Sequence, residues 1–287
     1  MSARLVKVAV LGNCQARSLA AALEAHAEVE TTTVTWAAVA DETEAAQLLE
    51  RLAAFDVVIS QPYKRFQALR PKIIARQPTR SAFYPRFYFS GLHPDALMLS
   101  PDHPLEFRFG GWHSTIALAA FHRGLSARDA ADLYNAYIYG VLGYFRRYGE
   151  AEALQVEAAL DVGLDLRADL AAWRGQVFAH TPNHPNMIVA EAMAGRLIQR
   201  LSLARRQPKA KATDPLADGF AFPVYPEIGR RIGIVGEMAF RTGRREPPIG
   251  LEQMLDEAFK AYGRNAAAVA ELPEVTRTVE ALRREGV

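Results

Sequence analysis

The chain has 287 residues, 50% apolar and 23% charged, with a formal net charge of +2. That composition excludes a disordered or fibrous chain, and so small a net charge argues against wholesale binding to nucleic acid or a membrane surface. A single cysteine excludes an internal disulfide and a Cys-rich zinc site. No run of about 18 uninterrupted apolar residues is present to span a bilayer. Met1-Ser2-Ala3-Arg4 lacks the regions of a signal peptide, so a cytoplasmic protein is expected.

Leu5 to Leu11 is short, valine-rich and followed by a glycine, which predicts a buried strand. Gln15 to His26 predicts a helix, Glu28 to Trp36 a strand, Thr43 to Ala54 a helix, and Phe55 to Ser60 a third strand. The order β-α-β-α-β at short spacing points to an α/β fold with a doubly wound, mostly parallel sheet. Between Val57 and Pro94 there is no Asp or Glu, while Lys64, Arg65, Arg70, Lys72, Arg76, Arg80 and Arg86 all occur there. Such a local positive field suits phosphate or carboxylate groups, although a solvated basic face would carry the same residues.

The aromatic stretch Phe83-Tyr84-Pro85-Arg86-Phe87-Tyr88-Phe89-Ser90-Gly91-Leu92-His93-Pro94-Asp95 predicts an ordered loop with a short strand. Ser114 to Gly149 predicts helix, with Ser126 as an N-cap and Asp129 in the first turn. Tyr134, Tyr137, Tyr139 and Tyr144 on this stretch are expected to serve packing or subunit contact. Gln176 to Ala179 predicts a strand that ends in His180-Thr181-Pro182-Asn183-His184-Pro185-Asn186, followed by a helix from Met187 to about Leu203. Arg205 to Asp218 is the linker candidate, and helices are expected near Leu251 to Tyr262 and Val275 to Arg284.

Two turns, Gly12 to Gln15 and His180 to Asn186, each follow a predicted strand and precede a predicted helix. In a doubly wound sheet both would lie at the carboxyl edge, where ligands bind. Cys14 at a helix N-terminus would have its thiolate favoured by the dipole and by N–H donors, although a lone cysteine is more often a small buried hydrophobe. His184 or His180 would serve as general base, with Asn183 or Asn13 orienting the imidazole or donating to an oxyanion. Zinc binding by His180, His184 and His93 lacks any specific spacing, so no metal is expected. Gly12-Asn13-Cys14-Gln15 also lacks the further glycines of a dinucleotide fingerprint and the lysine of a phosphate loop.

With these blocks in hand, the chain resembles the WcbI-type polysaccharide-biosynthesis acetyltransferase family. The resemblance rests on Gly12-Asn13-Cys14-Gln15, on Phe87 to Asp95 and on His180 to Pro185, within roughly residues 5 to 200. It implies a variant of the SGNH-hydrolase fold in which Cys14 takes the place of the serine of the first-strand turn. An orienting Asp three residues before the base is absent, because position 181 is Thr. The resemblance further implies coenzyme A or acetyl-CoA as cosubstrate, held by Asn13, Gln15, Arg17, Lys64, Arg86, Tyr88, Ser90, Gly91 and His93. The acceptor would be a sugar or glycan hydroxyl in surface or capsular polysaccharide biosynthesis, with Cys14, His184, His180 and Asn183 as catalytic candidates.

Residues 1–205 are expected to form the catalytic core, with a helical insertion at about 112–175, and residues 206–287 a linker and C-terminal helical extension packed on it. Homo-oligomer formation is compatible with this reading, and nucleic acid and integral membrane contact are not expected. Two rival functions fit the same residues: a Cys-dependent esterase or thioesterase, and a non-catalytic binder of a phosphorylated ligand.

Overall fold

A computed structural model describes residues 4–100, 103, 105, 107–207, 212–243 and 246–286. Met1 to Ala3 and residues 208–211 of the expected linker lie outside the described residues. The chain divides into two compact units, each assembled from three separate stretches. One comprises residues 1–88, 153–173 and 184–216, and the other 89–152, 174–183 and 217–287.

The first unit is built on a parallel sheet of β1 (Val6–Gly12), β2 (Val29–Thr35), β3 (Val57–Ser60) and β4 (Arg80–Phe83), in the order β2-β1-β3-β4. Register runs from Val6 opposite Val29 to Gly12 opposite Thr35, and from Val8 opposite Val57 to Leu11 opposite Ser60. Val8, Ala9, Val10 and Leu11 are all fully buried, so β1 is covered on both faces, as a continuous apolar run at the centre of a parallel sheet requires.

Helix α1 (Gln15–His26) follows β1 directly and packs against the Met187–Arg200 helix, with Ala16, Leu19, Ala20, Ala22 and Leu23 buried. Helix α2 (Glu42–Leu52) starts at Asp41, whose carboxylate accepts the Glu44 N–H at 2.9 Å. Its Ala45, Leu48 and Leu52 join Ala9, Leu11, Val58, Phe66, Leu69 and Ile74 in one cluster. The strands and helices read from the sequence in this region fall within two residues of these bounds. Each is decided by short-range periodicity and capping, which is why the sequence carries them.

The second unit differs more from expectation. The 114–149 stretch is three short helices, Thr115–His122, Ala127–Ala131 and Ala136–Val141, before a longer one begins at Arg147. Asn135 starts the third by accepting the N–H groups of Tyr137 and Ile138, and Gly143, at φ +72°, closes it in the left-handed region. Ser126 caps the second as expected, accepting the Asp129 N–H at 3.1 Å.

Strands β5 (Ala96–Met98) and β6 (Trp112–Ser114) pair antiparallel. The C-terminal helices Leu251–Gly263, Ala266–Ala270 and Pro273–Arg284 pack on Thr115–His122. At the centre of the unit, Asp95 is buried and accepts hydrogen bonds from Tyr225 Oη at 2.6 Å, Tyr144 Oη at 2.9 Å and the Ile116 N–H at 2.9 Å. Tyr139 stacks on Tyr144 and Tyr225, so three of the four tyrosines singled out by sequence, with Tyr134 edge-on to Tyr225, pack around this carboxyl. Tyr137 is the exception, exposed and donating to Glu285 at 3.2 Å.

Gln176 to Phe178 is not a strand; β7 is Ala179–Thr181, and it lies outside the four-stranded parallel sheet. Phe178 instead buries its ring edge-on against Phe89, with centroids 4.8 Å apart, so its apolar character serves packing and not a ladder. The expectation that the strand before His180 belongs to the same sheet as β1 is corrected accordingly.

Candidate functional site

In the order β2-β1-β3-β4 the chain leaves β1 toward one side and returns to β3 on the other, so the topological switch point lies between the carboxyl ends of β1 and β3. Ligands in open parallel sheets bind in the crevice outside that point. Gly12, Asn13 and Cys14 leave β1 there, and Gln61 leaves β3 beside them.

The turn is fixed by a compact set of hydrogen bonds. Asn13 donates its N–H to Gln61 Oε1 at 2.9 Å, and its own Oδ1 accepts the Gln15 N–H at 3.0 Å. Gln15 Nε2 donates to the Phe87 carbonyl at 2.7 Å, while Gln15 Oε1 accepts the Phe87 N–H and Gln61 Nε2, both at 3.0 Å. Buried Tyr84 donates to the Leu11 carbonyl at 3.1 Å. A Cβ on Gly12 would stand 2.2 Å from Tyr84 Oη and 2.9 Å from Gln61 Oε1, so only glycine fits at the end of β1. Gln15, expected to touch a cofactor, is buried with its amide ends on Phe87 and Gln61, and therefore positions the turn.

Cys14 is the N-cap of α1 with no side-chain capping hydrogen bond, and it is half-buried. Burial pushes its thiol above the ordinary range, outweighing the N–H groups of Cys14 and Gln15 and the charges of Arg86 and Arg17, which all favour the thiolate. This corrects the expectation of a depressed pKa: the helix terminus acts in the expected direction, but desolvation is larger. Burial, with the Cys14 charge acting the same way, raises the phenol of Tyr84 far above its usual value.

Arg86 and Tyr88 are the exposed members of the aromatic stretch, while Tyr84, Phe87 and Phe89 are buried. The Tyr88 N–H donates to Gln155 Oε1 at 3.0 Å, and Phe87 meets Trp173 edge-on. Lys64, exposed, lies on the segment that follows β3. His184 is half-buried in β8 (His184–Pro185), just before the Met187–Arg200 helix, which packs against α1; Asn186 caps that helix by accepting the Ile188 N–H at 3.1 Å. Asn13, Cys14, Gln15, Arg17, Lys64, Arg86, Tyr88 and His184 thus all belong to the first unit.

The remaining candidates, Ser90, Gly91, His93, His180 and Asn183, belong to the second unit. His93 is buried, with Nδ1 3.3 Å from the Pro223 carbonyl and Nε2 3.2 Å from the Ala179 carbonyl. Burial lowers its pKa to about 4, with the His180 charge acting the same way and the two carbonyls opposing. Both ring nitrogens therefore face backbone, which gives His93 a packing and hydrogen-bonding place. Ser90 accepts the His93 N–H through its carbonyl at 3.1 Å, and Gly91 is buried beside it in the chain. His180 is half-buried, its carbonyl accepting the Phe222 N–H at 2.8 Å; Asn183 Oδ1 accepts the Thr181 hydroxyl at 3.0 Å.

Sequence reasoning missed Gln61 as part of the site, and it offered Tyr84 as a contact for the coenzyme, whereas buried Tyr84 ties the Leu11 carbonyl. The available signal for Gln61 was its place directly after the third strand. Among the described residues, no three His, Cys, Asp or Glu side chains converge as a metal-ligand set, and no helix is long and apolar enough to cross a membrane.

No curated protein matches the chain. A solved structure of WcbI, a polysaccharide biosynthesis enzyme, described as the native protein without a disulfide bond between coenzyme A and Cys14 of that protein, shares the fold, with a TM-score of 0.72 and 18% identity over 97% of this chain and 99% of that one. The sequence profile of the polysaccharide biosynthesis enzyme WcbI matches residues 7–206, which include β1 from its second residue, β2 to β4, the Cys14 turn, the aromatic stretch and His180 to Asn186. This chain belongs to the WcbI family of polysaccharide biosynthesis enzymes.

Proposed function

We propose that this chain is a coenzyme A-dependent acyltransferase, acting in the cytoplasm and passing an acetyl group from acetyl-CoA to a sugar hydroxyl of a surface or capsular polysaccharide precursor. The observation that carries the reading is Cys14 at the switch point of the parallel sheet, within the fields of Arg86 and Arg17. Membership of the WcbI family supports it, as does the pairing of coenzyme A with a cysteine in the description of the solved WcbI structure. A nucleophile candidate directly after β1 also supports the SGNH-like, doubly wound reading of the fold.

In the covalent version, a histidine, His184 or His180, takes the Cys14 proton and the thiolate attacks the thioester carbonyl. The C–S bond to coenzyme A breaks, and the departing thiolate takes the proton back. The sugar hydroxyl then gives its proton to the histidine and attacks the acyl-cysteine, releasing Cys14. In the second version Cys14 only seats the thioester and the histidine activates the sugar directly. The raised thiol pKa means that the covalent version depends on a base to remove the Cys14 proton before attack. Asn13, Arg17, Lys64, Arg86 and Tyr88 are assigned to the coenzyme, and Asn183 to orienting a histidine.

The test is free-thiol release from acetyl-CoA with and without candidate sugars, combined with intact mass of the protein. Sugar-dependent release is expected, falling by about 10²–10⁴-fold in the variant that lacks the base, His184→Asn or His180→Asn. An acetyl adduct absent from Cys14→Ser would establish the covalent version. Release that ignores every sugar would make the protein a thioesterase, and no release with unchanged coenzyme A binding in Cys14→Ser would make it a binder.

A further inference from the structure

Cys14 already has helical backbone geometry, with φ −52° and ψ −25°, so the face of α1 begins at this residue. Residues four apart on a helix are neighbours on one face, which places Ser18 one turn along from Cys14. Side chains on a helix lean toward its N-terminus, and this turns Ser18 back toward Cys14. Ser18 is 1% exposed, and its hydroxyl has no hydrogen-bond partner.

An unpartnered buried hydroxyl destabilises a fold, and a serine inside a helix ordinarily relieves this by bonding the carbonyl four residues back. Here that carbonyl is the one of Cys14, and the bond is not made. Ser18 Oγ is closed to solvent, so only a partner inside the protein can satisfy it. Among the side chains three or four residues away, Ala21 and Ala22 are apolar, and Gln15 is committed to Phe87 and Gln61. The helix packed against α1, Met187–Arg200, buries only apolar side chains among the described residues. Of the side chains one turn away, Cys14 is left, and it makes no side-chain capping bond.

We infer that Ser18 is a positioning residue for Cys14: when the sulfur carries charge, rotation about the Ser18 Cα–Cβ bond brings its hydroxyl onto Cys14 Sγ as a hydrogen-bond donor. A neutral thiol is a weak acceptor and leaves the hydroxyl idle, whereas a thiolate is a strong one. Ser18 then joins the N–H groups of Cys14 and Gln15 in favouring the thiolate. The titratable groups coupled to the same sulfur are Arg17 on α1 and Arg86 and Tyr84 on the aromatic stretch. For its role in turnover the inference rests on the reading of Cys14 as the thiol that attacks or seats the thioester. The hydrogen bond itself is tested without acetyl-CoA.

Cys14 is the only cysteine of the chain, so the rate of alkylation by iodoacetamide against pH reports on this sulfur alone. The variants are Ser18→Ala, smaller and a better helix former, and Ser18→Thr, which keeps the hydroxyl; thermal melting checks that each is folded. In Ser18→Ala the midpoint is expected to rise by about one pH unit or more, the measure of one lost hydrogen bond to a charged group. Its melting temperature is expected to be unchanged or higher, because an unpartnered buried hydroxyl has gone. Ser18→Thr is expected to match the wild-type midpoint. An unchanged or lowered midpoint in folded Ser18→Ala overturns the inference, and a lower melting temperature alongside it assigns the hydroxyl to the Cys14 carbonyl. A rise that folded Ser18→Thr shares also overturns it, because repacking of α1 is then the cause. Where Ser18→Thr does not fold, Ser18→Ala decides. If Ser18→Ala shifts the midpoint while the wild type releases no thiol from acetyl-CoA with any sugar, the acyltransferase reading fails and the hydrogen bond stands.

Discussion

Cys14 sits under opposed influences: burial raises its pKa, and the N–H groups at the start of α1 together with Arg86 and Arg17 lower it, with burial the larger. The balance favours the protonated thiol at neutral pH. Its alkylation rate should rise with pH to a midpoint above that of an ordinary cysteine, about 8.5, and Arg86→Ala should move the midpoint higher still and slow the reaction at neutral pH. A midpoint below the ordinary value would show that the helix terminus and the arginines dominate after all. The place of Cys14 was legible from five residues of sequence, Leu11 to Gln15, because a strand end and a helix start are local. The sign of its pKa shift was not, because desolvation depends on what the rest of the chain packs around the sulfur.

At the scale of elements, the turn between β1 and α1 is held by partners from β3 and from the aromatic stretch. Gln61 supplies the acceptor for the Asn13 N–H and a donor to Gln15, and Gln15 in turn holds Phe87. Gln61→Ala should cost about 1–3 kcal/mol in chemical denaturation, because it leaves the partly buried Asn13 N–H short of its acceptor. It should also slow any chemistry that depends on the position of Cys14. A variant as stable and as reactive toward alkylating agents as the wild type would show that the turn holds itself. The sequence pattern located the strand and the helix but not these ties, since residues 48 and 72 apart in the chain leave no periodic trace. The Gln176–Ala179 stretch shows the opposite error. Its short apolar run reads equally well as strand or as packing, and Phe178 chose packing against Phe89.

Across the molecule, each unit draws on three separated stretches of chain, so the helices after residue 250 share a unit with Phe89 to Glu152. The second unit is organised around Asp95, which is raised in pKa by burial against the hydrogen bonds from Ser114, Tyr225, the Ile116 N–H and Tyr144. Asp95→Ala should destabilise the protein by about 3 kcal/mol or more, since two buried tyrosine hydroxyls and a backbone N–H lose their acceptor together. Thermal and denaturant unfolding would measure this, and an unchanged midpoint would refute a structural role. Asp95 ended the aromatic motif in the sequence, where nothing marked it as a centre of packing.

By itself the sequence determined what neighbours in the chain decide: the first three strands, α1 and α2, the Cys14 turn, the Ser126 cap and the stretch of basic residues without acids. Only the tertiary structure decided the strand order that puts Gly12 to Cys14 and Gln61 at one switch point, and the burial of His93 between two carbonyls. The physical reason is the same in each case. Periodicity, capping and turn chemistry act within a few residues, whereas desolvation and long-range hydrogen bonds exist only after distant segments have packed.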